Sequence, residues 1–189
     1  MTSAVEGVLV AHLQHPPDDD CPIVLITCGL AGAGKTTLVK AIRAAYPAFH
    51  RISIDEIVHR NHGIYGLDYE ASSALYEEYN EEADLIYEAT FRRLLAEKQD
   101  IICERSFYAK EDRDEFRKIA QEAGARAVLI FLKAEGEEGK ELLWSRICKR
   151  SEGTKTANSA YDITRETFEM YWSGFENPDG EGEIVIEVK

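Results

Sequence analysis

One nine-residue stretch limits the fold more than anything else in the chain. Gly29-Leu30-Ala31-Gly32-Ala33-Gly34-Lys35-Thr36-Thr37 matches the pattern GxxxxGK[ST], directly after the β-branched run IVLITC and directly before the helical pattern KTTLVKAIRAAY. Glycines at this spacing let successive backbone N–H groups turn inward and form a concave anion nest. A helix opening at Gly34 adds the positive end of its dipole. Lys35 then reaches β- and γ-phosphate oxygens, and the Thr36 hydroxyl is placed to ligate Mg²⁺. The motif therefore implies a nucleoside triphosphate held between a buried strand and a helix.

The rest of the 189 residues suits one domain of ordinary size. Residues 1–20 read as an appendage ending in HPPDDD, with VEGVLVAHL either a short added strand or a disordered tail. From residue 21 to 189, apolar strand-like runs (IVLITC, RISID, DIICE, ARAVLIFLK, EIVIEV) alternate with helical patterns, the longest running from about Ala71 to Lys98. Such alternation predicts a three-layer α/β/α domain on a mostly parallel five-stranded sheet. Phe168, Tyr171, Trp172 and Phe175 fall at i, i+3, i+4 and i+7, an apolar stripe expected to pack on that sheet.

Four further features bear on chemistry. Asp55 ends the second predicted strand; it is placed either as the base that takes the proton of an attacking hydroxyl or as a helix N-cap. Glu104 ends the third strand, as a metal-side acid in a place where Asp is more usual, or as the partner of Arg105. Arg105 is also a candidate substrate contact, with Ser106 beside it. Arg146 and Arg150, one helical turn apart before the polar loop SEGTKTANSA, either form a cationic lid over residues 136–160 or complement a helix dipole. Residues 57–100 form a candidate acceptor-binding insert; its stretch 66–100, ten acidic against three basic residues with interleaved tyrosines, either favours a neutral or cationic hydroxyl compound or is a solvated amphipathic helix. His59 and His62 are either relay residues or ordinary surface groups.

Composition narrows the class. With 22 basic and 35 acidic residues the formal net charge is −13, which repels a nucleic-acid backbone and argues against nucleic acid as partner. Cys21, Cys28, Cys103 and Cys148 form no CxxC pair and read as reduced thiols of a cytoplasmic protein. No run of about 18 apolar residues is present, so no membrane role is expected. The N-terminus lacks a basic region and carries Glu6, which argues against a secretory signal. There is no guanine-reading NKxD and no sensor region of a mechanical ATPase.

The segments GLAGAGKTTL, SIDE, YEATFRRLLAEKQDIICERSFYAKEDRDEFRKIAQEAGARAVLIFL and WSRICKR together resemble the small P-loop kinase-like ATP-binding proteins of AAA type. Their relatives are similar to zeta toxins, chloramphenicol phosphotransferase and polynucleotide kinase. The resemblance spans roughly residues 22–188. It implies strand order 2-3-1-4-5, ATP as phosphate donor with Mg²⁺, a base at Asp55, lid arginines at Arg146 and Arg150, and adenine near the loop from Asn177 to Gly182. The expected activity is transfer of the γ-phosphoryl group to a hydroxyl of a small molecule. The alternatives are a slow ATPase with nucleotide-dependent partner binding, and a polynucleotide 5′-hydroxyl kinase. Oligomeric state is not legible.

Overall fold

A computed structural model describes residues 3–16, 19–153, 155–156 and 163–189. Its elements are α1 (Ser3–Leu13), β1 (Ile23–Cys28), α2 (Lys35–Ala45), β2 (His50–Ser53), α3 (Ile54–His62), α4 (Ser73–Ala96), β3 (Ile101–Glu104), α5 (Lys110–Glu122), β4 (Arg126–Lys133), α6 (Gly136–Ser151), α7 (Arg165–Gly174) and β5 (Ile184–Glu187). The five strands lie in the order β2-β3-β1-β4-β5, and every pairing is parallel. This is the expected three-layer kinase-type α/β/α architecture.

The sheet is buried on both faces because its strands are apolar on both. Every residue of β1 and β3 is buried, as crossover helices on either side require. One face carries α3, α4 and α5 through Ile57, Tyr87, Phe91 and Phe116; the other carries α1, α2, α6 and α7 through Leu9, Val39, Ile42, Leu143 and Phe168.

Register places the chemistry. Thr27 and Ser53 both pair with Glu104, so β1, β2 and β3 end at one level, and the segments leaving them meet at the carboxyl edge of the sheet. Ligands of open parallel sheets bind at that edge.

Three expectations change. The segment VEGVLVAHL lies in helix α1, not a strand or a tail, and its Leu9 and Leu13 are buried in the core. Burial against the sheet outweighs the β-branched preference of its valines. Residues 1, 2, 17 and 18 of the N-terminal appendage lie outside the described residues. The second strand ends at Ser53, and Asp55 stands in the first turn of α3. Of the aromatic stripe on α7, Phe168 is fully buried, whereas Tyr171 is exposed and lines the cleft described next.

Candidate active site

The loop from Gly29 to Gly34 wraps the carboxyl end of β1. Gly34, at φ 99°, is the N-cap of α2 and offers no side chain to its free N–H groups, and no acid lies in the first turn. Those donors are left to an exogenous anion. Gly32 (φ +82°) admits no Cβ, because one built there would stand 2.7 Å from the Leu143 carbonyl of α6. The loop is tied to its neighbour by Gly29 N–H donating to Ser106 O at 3.0 Å. Ser106, read as a polar contact, thus braces the loop through its backbone.

Lys35 folds onto this loop, its Nζ donating to Gly29 O (2.7 Å) and Leu30 O (3.0 Å). Burial pushes its pKa down to about 8, against the opposing pull of Glu104 and Asp55. The Thr36 hydroxyl donates to Glu104 Oε1, bringing the two expected metal-side oxygens together. Glu104 is buried, and its ionic partner is Arg51, whose Nε donates to Oε2. Arg105 instead pairs with Asp84 at 2.9 Å.

Arg51 was not singled out in the sequence. Its side chain is only 4% exposed and bridges Glu104 and Glu56. The signal was an arginine inside a strand of a buried sheet, a place where a guanidinium requires carboxylate partners.

Asp55 lines the same cleft. It is not the N-cap of α3, since that position is Ser53. Its side chain is accessible from the cleft yet surrounded by protein, and desolvation followed by the neighbouring Glu104 raises its pKa, with Lys35, Arg150 and Arg51 opposing. Tyr76 feels the same carboxylate: burial, then Asp55, raises its pKa.

Arg146 and Arg150 also reach the cleft. Arg146 donates to Gly32 O at 3.4 Å and to Lys189 O at 2.7 Å. They project from α6, whose Leu143 and Ile147 are buried in the core. The first part of the expected lid is therefore a packed sheet helix; residues 154 and 157–160 of it lie outside the described residues.

The cleft holds about 1470 Å³. Besides the P-loop, α3, the segment between α3 and α4, α4, the turn after β3 and α7 line it, through His59, Tyr69, Tyr76, Asn80, Tyr108 and Tyr171. The acidic segment has one face in the cleft and one in solvent. Tyr76, Asn80 and Asp84, at helical i, i+4 and i+8, line the cleft, while Glu77, Glu78 and Glu81 face solvent. His62 is not in this wall; it stacks on Tyr79 and contacts Glu82 at 3.0 Å.

The loop from Asn177 to Gly182 is anchored at Glu181. Arg113 Nη2 (2.7 Å) and Arg117 Nη2 (2.7 Å) both donate to that carboxylate. Arg113 is fully buried and also donates to Phe107 O (3.0 Å), which accepts from the Cys28 thiol as well (3.4 Å). Phe107 has φ 47°, a left-handed conformation costing about 1–3 kcal/mol that such surroundings must hold in place. All four cysteines are free thiols.

A family model described as an AAA domain matches residues 24–178. No curated protein matches the chain. Among solved structures, a candidate kinase from Chloroflexus aurantiacus superposes with TM-score 0.67 at 20% identity, over 88% of each chain. Kti12 from Chaetomium thermophilum, solved with ADP-AlF3, gives 0.62 at 17% identity over 87% of this chain and 88% of that one. A gluconokinase from Sinorhizobium meliloti gives 0.55 at 16% identity over 88% and 83%. No helix among the described residues is long and apolar enough to cross a membrane. With the nest, the strand order and the family match in agreement, the chain belongs to the AAA-domain family and has the fold of its small P-loop kinases.

Proposed function

We propose that the protein is an ATP- and Mg²⁺-dependent phosphotransferase that moves the γ-phosphoryl group to a hydroxyl of a small molecule. The observation that carries this reading is one cleft lined by the phosphate nest, by Asp55 and by four tyrosines. A nucleotide-hydrolysing module needs no second wall of this size.

In this reading Gly29–Thr37 hold the triphosphate, and Lys35 leaves its two loop carbonyls for the β- and γ-phosphate oxygens. Thr36 and Glu104 supply hard oxygen donors side by side, which suits Mg²⁺. Among the described residues no cluster of three or more His, Cys, Asp or Glu could hold a metal alone. That fits an ion completed by nucleotide phosphates and water, and its chemistry when bound is to offset phosphate charge. Asp55 takes the proton of the acceptor hydroxyl, a role that its raised pKa favours. Arg150, with Arg146 behind it, spreads positive charge toward the transferring group; arginines so used contribute roughly 10³–10⁵ in rate. Adenine is expected against the loop from Asn177, which borders Leu30 of the P-loop.

The test is a screen of hydroxylated metabolites, aminoglycosides and nucleosides for stimulated ADP release, with Lys35→Ala as the blank. Asp55→Asn is expected to retain ATP and lose most transfer. Because a base works only when ionised, wild-type transfer falls on acidification at a higher pH than an unperturbed aspartate gives. Equal transfer by Asp55→Asn and wild type removes Asp55 as the base.

A further inference from the structure

We infer that Asp84 sets the acceptor class: by pairing with Arg105 it cancels the acceptor wall's one cation, so the cleft selects an uncharged polyhydroxylated acceptor over a phosphorylated or carboxylated one. The inference deepens the phosphotransferase reading and rests on it.

The charges lining the cleft divide by side. Lys35, Lys40, Arg146, Arg150 and Lys189 come from the P-loop, α2, α6 and the strand-end residue beside them. Among the described residues, α3, α4 and the end of β3 bring four charged side chains to the cleft, Asp55, Asp84, Glu104 and Arg105, besides the imidazole of His59; Glu104 is paired with Arg51. Arg105 Nη1 lies 2.9 Å from Asp84 Oδ1. With Arg105 and Glu104 paired, the wall's remaining carboxylate is Asp55, whose cationic neighbours Lys35 and Arg150 belong to the phosphate side, and an acceptor hydroxyl must approach it. An anionic acceptor would meet that charge with the wall's arginine already paired to Asp84, and the acidic outer face of α4 adds to the repulsion.

What the wall does offer is neutral. Tyr69, Tyr76, Tyr108 and Tyr171 present ring faces and hydroxyls, and Asn80 presents an amide. Rings bury the apolar faces of a sugar-like or nucleoside-like molecule while hydroxyl and amide groups pair with its polar edge.

A merely structural ion pair between α4 and the end of β3 predicts a different outcome, so the test reads anion binding. Full-length protein, saturated with Mg²⁺ and a non-hydrolysable ATP analogue to fill the nest, is titrated with a 5′-hydroxyl thymidine tetranucleotide and followed by anisotropy. Wild type is expected to bind weakly. Asp84→Asn, similar in shape, is expected to bind at least about tenfold more tightly, with the gain lost at high salt. Arg105→Gln is expected to stay at the wild-type level, and the double variant to lose the gain. Tight wild-type binding, no gain in Asp84→Asn, or a gain that survives in the double variant overturns the inference. In the acceptor screen, an anionic compound that stimulates ADP release better than its uncharged analogue also overturns it. Failure of wild type to retain ATP strikes the phosphotransferase reading instead, and calorimetry with ATP alone separates the two.

Discussion

Lys35 is pulled in two directions. Its ammonium is needed beside phosphate, yet burial lowers its pKa to about 8, and two loop carbonyls hold it meanwhile. Bringing a triphosphate to the nest restores a strong reason to stay charged, so the pKa rises on binding. By linkage, nucleotide binding takes up protons where the free lysine is partly neutral. At pH near 8 we expect roughly half a proton taken up per ATP, falling toward zero by pH 6. Calorimetry in buffers of different ionisation enthalpy measures this, and identical heats in all buffers at pH 8 contradict it. How legible such residues are depends on how local their partners are. Gly29–Thr36 reads directly, because the nest is made by consecutive backbone groups within one turn. Arg51 does not, because its carboxylates, Glu56 and Glu104, come from α3 and β3 and meet it only once β2 pairs with β3.

Among the elements, α5 and the loop before β5 are joined by an ion pair whose side chains are 0% and 4% exposed, Arg113 with Glu181. Removing one partner strands a buried charge, which costs about 3–5 kcal/mol. Arg113→Ala is expected to lose stability on that scale in urea unfolding, and also to free the Phe107 carbonyl that meets Cys28 at the root of the P-loop. The pH dependence follows from Glu181, whose pKa is lowered first by the Arg113 hydrogen bond from an ordinary value of 4.5. A carboxyl depressed on folding contributes fully above its unfolded pKa, and the contribution vanishes as pH falls through the folded value. Wild-type stability should therefore decline below about pH 4.5, and Glu181→Gln should flatten that decline while lowering stability at neutral pH. An unchanged acid limb in Glu181→Gln assigns the decline to other carboxylates. Elements of this kind were legible as helices and strands from periodicity. Their coupling was not, since Arg113 and Glu181 are 68 residues apart in the chain.

At the scale of the molecule, layering followed from alternation of apolar runs and strand order from family resemblance, but two placements turned on tertiary burial. Ile54 suits the end of a strand or the start of a helix, and packing of Ile57 and Val58 under α3 decides for the helix, moving Asp55 from strand end to first turn. The N-terminal segment turned likewise. Helix α1 is fastened at the amino-end edge of the sheet, where Arg126 donates to Gln14 O (2.9 Å) and His15 meets Asp100 (2.9 Å) while Asp100 accepts from Ile23 N–H (2.8 Å). Residues 23, 100 and 126 stand at or beside the starts of β1, β3 and β4, the end opposite the phosphate nest. Leu9 is fully buried there in the face shared with α2, α6 and α7, so truncating it leaves a cavity in the common core and not in a detachable arm. Leu9→Ala is expected to cost about 2–5 kcal/mol in urea unfolding, with ATP affinity in the folded population unchanged because α1 is fastened at the end of the sheet opposite the phosphate nest. A full-stability Leu9→Ala variant would show that α1 rests on the sheet without supporting it; a loss of ATP affinity at unchanged stability would mean that packing at the amino edge reaches the nest through β1.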